Sequence, residues 1–180
     1  MAFNVSEFRS QLIGDGARPN LFSVTLAFPT YTNGATAAGQ KVTFMAKAAQ
    51  LPGSSIGTVP VYYFGREIKF AGNRTFPDWT LQIINDEDFL IRNSLENWLN
   101  NVNSNQGNIR STNAPTPTSY TVDASVSQYG KNGNIIKTYN FVGMFPIDVA
   151  PIDLDWGSND SIEEYSVTFA YQYWTNDQTS

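Results

Sequence analysis

The sequence predicts a mainly β fold: an antiparallel β-sandwich or barrel of about six to seven strands with one flanking α-helix. Three observations carry that expectation. Apolar and polar residues alternate in short blocks along most of the chain. Turn signals rich in Gly, Pro and Asn separate the blocks, as in GKNGN at 130–134. Only one stretch, 86–103, carries a helical repeat.

The elements follow in order. Residues 1–19 mix Gly, Asp and Pro with Phe3, Val5, Phe8, Leu12 and Ile13, and are expected to form a short amphipathic N-terminal arm. LFSVTLAF alternates, with Phe22, Val24, Leu26 and Phe28 on one face. TNGATAAGQ reads as a loop, and KVTFMAKA as a second strand with Val42, Phe44 and Ala46 on one face. The stretch AQLPGSSIGTVPVYYFG is extended by its β-branched and aromatic content. Pro52, Gly53, Gly57 and Pro60 interrupt it, so it cannot be a central strand; a proline has no N–H to give a ladder. REIKFAG is a short strand, GNRTFPD a turn, and WTLQII a strand with Trp79, Leu81 and Ile83 on one side. The helix is expected over 86–103, capped by Asn85 or Asp86. Asp86, Glu87 and Asp88 lie at its positive end, and Ile91, Leu95, Trp98, Leu99 and Val102 form its apolar stripe. NIRSTNAPTPTS is a polar loop; SYTVDASVSQYG and NIIKTYNFVGMF pair across GKNGN. VAPIDLDWGSND is a loop, and EEYSVTFAYQYW is one long strand with Tyr165, Val167, Phe169, Tyr171 and Tyr173 on a face.

Composition narrows the chemistry. The 180 residues suffice for one domain with a core, and the 41% apolar content marks a folded chain. With no Cys and no His, the chain offers no thiolate zinc site, no Ser-His or Cys-His pair and no imidazole base. Net charge is −5, and no Lys or Arg follows Lys137 although seven carboxylates do, so a nucleic-acid grip is not expected. The N-terminal stretch lacks a basic start followed by an apolar block, so no secretory signal is expected and an intracellular setting is the default.

Each candidate site has a plainer account beside it. Asp153, Asp155 and Glu164 take the first, third and last places of an EF-hand spacing, but Gly157 replaces a ligand and Ser158 stands where the turn glycine belongs; a solvated acidic turn explains them better. The carboxylates at 86–88 are accounted for by the helix start. The aromatic stripe of the last strand, with Trp156 and Trp174 nearby, could suit a sugar platform, but a core face explains it better, since one face of such a strand must be buried. The remaining anomaly is 48–64, apolar and extended, with no charge until Arg66. Left bare, such an edge aggregates, and a second subunit is the economical cover.

Three blocks, ARPNLFSV (17–24), KAAQLPGSSIGTVPVYYFGREIKFAGNRTFPDWTLQIINDE (47–87) and LDWGSNDSIEEYSVTFAYQYW (154–174), closely resemble the tail tube proteins of contractile-tailed bacteriophages of the T-even-like group. The likeness keeps its order from 17 to 174. Longer loops at 30–40 and 111–118 and extra C-terminal residues depart from it. The resemblance implies a tail-tube fold similar to type VI secretion and pyocin tube proteins. It implies a single domain over 1–180, with a C-terminal tail at 175–180 and an extended inter-subunit excursion at 47–64. It implies a structural virion protein, assembled in the host cytoplasm, whose hexameric rings stack into a rigid helical tube. A sheath protein lies outside that tube, baseplate and tail terminator proteins cap its ends, and tape measure protein then DNA occupy the lumen. No enzyme activity, cofactor, metal or membrane insertion follows from it. Leu51, Ile56, Val59, Val61, Tyr62, Tyr63, Phe64 and Arg66 are the expected subunit or ring interface. Arg74, Asp78 and Trp79 are the expected joint between the excursion and the core. The helix is expected on the outer side, and part of the acidic excess on the lumen wall, where it would let DNA slide. The competing class is a carbohydrate-binding β-sandwich module of a phage fibre or lectin, using Trp156, Trp174 and the 153–164 loop; a carboxylate glycosidase comes third.

Overall fold

The computed structural model describes residues 4–179. In chain order it contains α1 (Val5–Gln11), β1 (Phe22–Leu26), α2 (Ala35–Met45), β2 (Ala46–Ala49), β3 (Ser55–Tyr63), β4 (Arg66–Thr75), β5 (Trp79–Ile84), α3 (Leu90–Val102), α4 (Pro117–Tyr120), β6 (Val122–Tyr129), β7 (Ile135–Val149), β8 (Glu164–Ala170) and β9 (Tyr173–Asn176). Seven strands form one antiparallel sheet in the order β1-β6-β7-β8-β5-β2, with β9 also on β7; β3 and β4 form a separate two-stranded sheet. The mainly β, antiparallel class therefore holds, without closure into a barrel.

The long strand β7 organises the sheet. Its first part pairs with β6 on one side and β9 on the other, and its last part, Phe145–Val149, pairs with β8. The expected single terminal strand is two strands. After Ala170 the chain breaks step at Tyr171 and Gln172 and resumes as β9 against Tyr139–Val142. Only Tyr165, Val167 and Phe169 of the aromatic stripe are buried; Tyr173 is exposed. Alternation alone cannot show that break, because both strands keep the period of two.

The core packs β1 (Val24, Leu26), β5 (Trp79, Leu81, Ile83), β6 (Ala124, Val126), β7 (Phe141, Met144) and β8 against Ala38 and Val42 of α2 and Ile91, Leu95 and Trp98 of α3. Trp79 meets Phe141 with ring centroids 4.8 Å apart, and Phe28 meets Trp98 edge-on at 5.8 Å. The Trp98 indole N–H is buried but satisfied, donating to the Tyr120 carbonyl at 2.8 Å.

Two helical readings change. KVTF is helix, not strand: α2 buries Ala38 and Val42, four residues apart, while Phe44 is 82% exposed instead of sharing a face with Val42. The alanine-rich start favours helix, and Gly39 lets the helix close on β1, where a Cβ would lie 3.0 Å from the Leu26 carbonyl oxygen. The helix expected over 86–103 runs Leu90–Val102; of its expected stripe Ile91, Leu95 and Trp98 are buried and Val102 packs on the core, while Leu99 is only half-buried. Its N-cap is Phe89 in the left-handed region, and neither Asn85 nor Asp86 caps it. Asp88 accepts from the Leu90 N–H instead, Asp86 accepts from the Glu87 N–H, and both carboxylates reach Lys41 of α2 at 2.5–2.6 Å. Beyond their place before the helix, Asp86 and Asp88 therefore tie the approach to α3 to α2. Polar loop 108–119 contributes the buried Ala114 and ends in α4.

Candidate assembly interface

The feature that leaves the body of the fold is the hairpin β3–β4. Its strands join through the two-residue turn Phe64–Gly65, with φ of 46° and 75°. Two consecutive positive φ values fit the right-handed twist of a hairpin, and Gly65 supplies one at little cost. Pro60 is tolerated because a two-stranded ribbon has an open edge beside each strand.

Register separates the two faces. Directly opposed residues share a side of an antiparallel pair. Val59 opposes Phe70, Val61 opposes Ile68, and Tyr63 opposes Arg66, so one face is apolar with a cation at its tip. Thr58 opposes Ala71, Pro60 opposes Lys69, and Tyr62 opposes Glu67 on the polar face. Below Thr58 the register slips, and Gly72 there backs onto the Gly57 carbonyl, where a Cβ would lie only 3.0 Å away. Among the described residues nothing covers either face: Val59 is 50% exposed, and Phe64 at the tip is 89% exposed. A bulky aromatic at positive φ carries local strain, and Phe64 carries it in full view of solvent.

The root of the hairpin is held firmly. The Trp79 indole N–H donates to the Gln50 carbonyl at 2.7 Å, where the chain leaves the sheet, and the Trp174 indole N–H donates to the Gly53 carbonyl at 3.0 Å. On the return side Ser55 and Thr75 share a hydroxyl contact of 2.7 Å, and Phe76 packs against Tyr171 and Trp174.

The expected interface residues are thus placed together, with differences. Val59, Val61, Tyr63 and Arg66 share the apolar face, Phe64 forms the tip, Tyr62 points to the opposite side, Ile56 sits near the base opposite Arg74, and Leu51 precedes the hairpin. The protruding element spans 55–75; Lys47–Ala49 belong to the main sheet, where Lys47 pairs with Glu164 at 2.5 Å. Arg74 is not in a turn: GNRT continues β4, and only Phe76–Asp78 connect to β5. Sequence reading missed Ile68 and Phe70, the β4 side of the apolar face. Their signal is the alternation in EIKF after Phe64–Gly65, weak because Phe is an uncommon first turn residue.

Elsewhere, α1 is entirely exposed on its described side chains, including Val5 and Phe8; Phe3 lies outside the described residues. The 151–163 loop exposes Leu154 and Ile162 and leaves Trp156 100% exposed. Most other aromatics of the imagined sugar platform are committed elsewhere: Tyr165 and Phe169 lie in the core, and Trp174 packs on Tyr139 at 5.3 Å. Among the described residues, no group of three or more Asp or Glu is arranged to hold a metal, and no helix is long and apolar enough to cross a membrane.

The comparisons agree with an assembly protein. Residues 17–177 match the family model described as phage tail tube protein. Tail tube protein gp19 of Enterobacteria phage T4 is 36% identical over 162 residues, covering 89% of this chain and 92% of that relative. The tail tube protein of Serratia phage KSP90 is 28% identical over 169 residues, 93% of each. Among solved structures, the tube-terminating cap of the anti-feeding prophage superposes with a TM-score of 0.63 at 18% identity over 91% of each chain. A chain of the sheath–tube complex of the PVC extracellular contractile injection system gives 0.61 at 16% identity, over 99% of this chain and 100% of that one. These last two share the fold. The carbohydrate-binding alternative is set aside with the enzyme. The chain belongs to the phage tail tube protein family, whose members are structural parts of the virion and not enzymes.

Proposed function

We propose that this chain polymerises, as hexameric rings stacked in a helix, into the inner tube of a contractile tail, the conduit through which the genome crosses the host envelope. One observation of the chain itself carries the reading: a firmly rooted hairpin exposes an apolar face that none of the described residues covers. A heterologous contact, in which one copy's hairpin lies on a different surface of the next, builds rings and stacks. Among the described residues β1, β2 and β9 each pair with one strand only, so neighbouring copies can also extend the sheet edge to edge. In this proposal the sheath lies outside, baseplate and terminator proteins hold the ends, and tape measure protein then DNA fill the lumen, with assembly in the host cytoplasm. Trp79, Asp78 and Arg74 act as the joint that sets how the arm leaves the body. Acidic residues that remain at the lumen wall keep DNA from binding it; a tube solved with a basic lumen would overturn that point.

Negative-stain microscopy of the purified protein tests the reading. Hollow tubes of uniform width are expected. Val59→Asp places a carboxylate in the apolar face and should leave a folded monomer that makes no tubes. Tyr62→Asp lies on the polar face and should act more weakly. Normal tubes from Val59→Asp would remove the hairpin from the interface.

A further inference from the structure

We propose that the hairpin tip of one copy seats in the acidic loop 151–163 of the next copy, the Arg66 guanidinium entering the hollow of that loop; this rests on the hairpin being the inter-subunit arm. Charge points to this pairing. Residues 55–75 carry Arg66, Lys69 and Arg74 against Glu67 alone, whereas 151–164 carry Asp153, Asp155, Asp160, Glu163 and Glu164 with no Lys or Arg. Arg66 makes no ion pair among the described residues, although it stands on the hairpin's apolar face beside Tyr63. An unpaired guanidinium there weakens any docking onto a purely apolar surface, because it would be stripped of water without a partner.

The loop offers what that tip lacks. It encloses a hollow of about 340 Å³ walled by Asp153, Asp155, Glu163 and Glu164. Glu163 and Glu164 already accept from Asn85 and Lys47, but Asp153, Asp155 and Asp160 are exposed and have no basic partner among the described residues. The exposed apolar side chains Leu154 and Ile162 also line the hollow. The tip is matched in kind: Arg66 is flanked by Tyr63 and Phe64, whose rings already pack edge-on at 4.6 Å. An apolar rim around a charge pair is the arrangement that excludes water and makes such a pair count. A second copy is the occupant, because the two surfaces complement each other in sign and in apolar content while lying on one sequence. Every copy then gives a tip and receives one, as an open or ring-closing polymer needs.

The experiment uses the full chain and reads the lowest concentration at which tubes pellet and appear in negative stain, with circular dichroism confirming a folded monomer. Arg66→Glu, and separately Asp153→Lys with Asp155→Lys, should each raise that concentration about tenfold or more. All three substitutions in one chain should recover most of the loss, since the signs are again opposite. Asp153→Asn with Asp155→Asn gives a milder version of the same effect in case the lysines disturb the loop. Tubes from the loop variants at the parent concentration would overturn the pairing, as would failure of the combined variant to recover. In either case a Val59→Asp block would leave the hairpin's own role standing, so the two failures are distinguishable.

Discussion

Two tryptophans show how a single atom positions a whole arm. Trp79 is almost fully buried, and its indole N–H satisfies the Gln50 carbonyl at the point where the chain turns out of the sheet. Replacing Trp79 by Phe keeps an aromatic ring in the core but leaves that carbonyl without its donor and opens a small void. Unfolding by urea should show a loss of about 2–3 kcal/mol, and tube formation should slow as the root loosens. At the tip, Phe64 holds a positive φ in a turn that prefers Asn before Gly. Phe64→Asn relieves the local strain and should raise the melting stability by about 0.5–1 kcal/mol, while removing a fully offered ring should impair polymerisation. A variant both more stable and equally good at forming tubes would show that Phe64 has no contact role. Leu95, wholly buried in α3, is an ordinary core position by contrast, and Leu95→Ala should cost about 3 kcal/mol in the same urea assay.

At the scale of elements, the pair α2 and α3 is joined by Lys41, which reaches Asp86 and Asp88 on the approach to α3. Hydrogen bonds from Lys41 hold both carboxyls below their ordinary value of 3.8. The same bonds raise the Lys41 ammonium above 10.5. A carboxyl whose pKa is depressed on folding gives stability that is complete above the unfolded value and disappears as pH falls through the lower folded one. The lysine's share is complete below 10.5 and is lost on rising through its higher folded value. The clamp therefore acts between roughly pH 4 and pH 10 and fails in acid first. Lys41→Met should flatten the fall in melting temperature between pH 5 and pH 2 relative to the parent, an effect small because all three groups meet water; an unchanged acid limb would show that the clamp contributes nothing.

On the scale of the whole molecule, family membership and an uncovered apolar hairpin lead to the same description, a subunit incomplete until it meets its neighbours. High salt should weaken assembly to the extent that Arg66 and the acidic loop contribute to it, and leave the apolar face of the hairpin intact. Sedimentation of tubes across a salt series measures that share.

Local sequence was sufficient for much of this. Alternation located β1, β5, β6 and β8 with their inward faces, because a strand half buried in a sheet must repeat every two residues. The 3.6-residue stripe found α3, and Pro60 with the missing charge marked the protruding region as peripheral. The absence of His and Cys narrowed the catalytic options before any coordinates. What tertiary structure alone decided was which pattern prevails where two are possible. KVTF alternates like a strand, yet its residues fold as helix, which buries Val42 together with Ala38 and leaves Phe44 outside. The last strand divides because β8 and β9 pair with successive parts of β7, and no residue at 171–172 announces it. The apolar face of the hairpin exists only through register, which joins Val59 to Phe70 and Val61 to Ile68 across the chain; spacing along the sequence cannot specify it, because a shift of one residue would turn every one of those side chains to the other side.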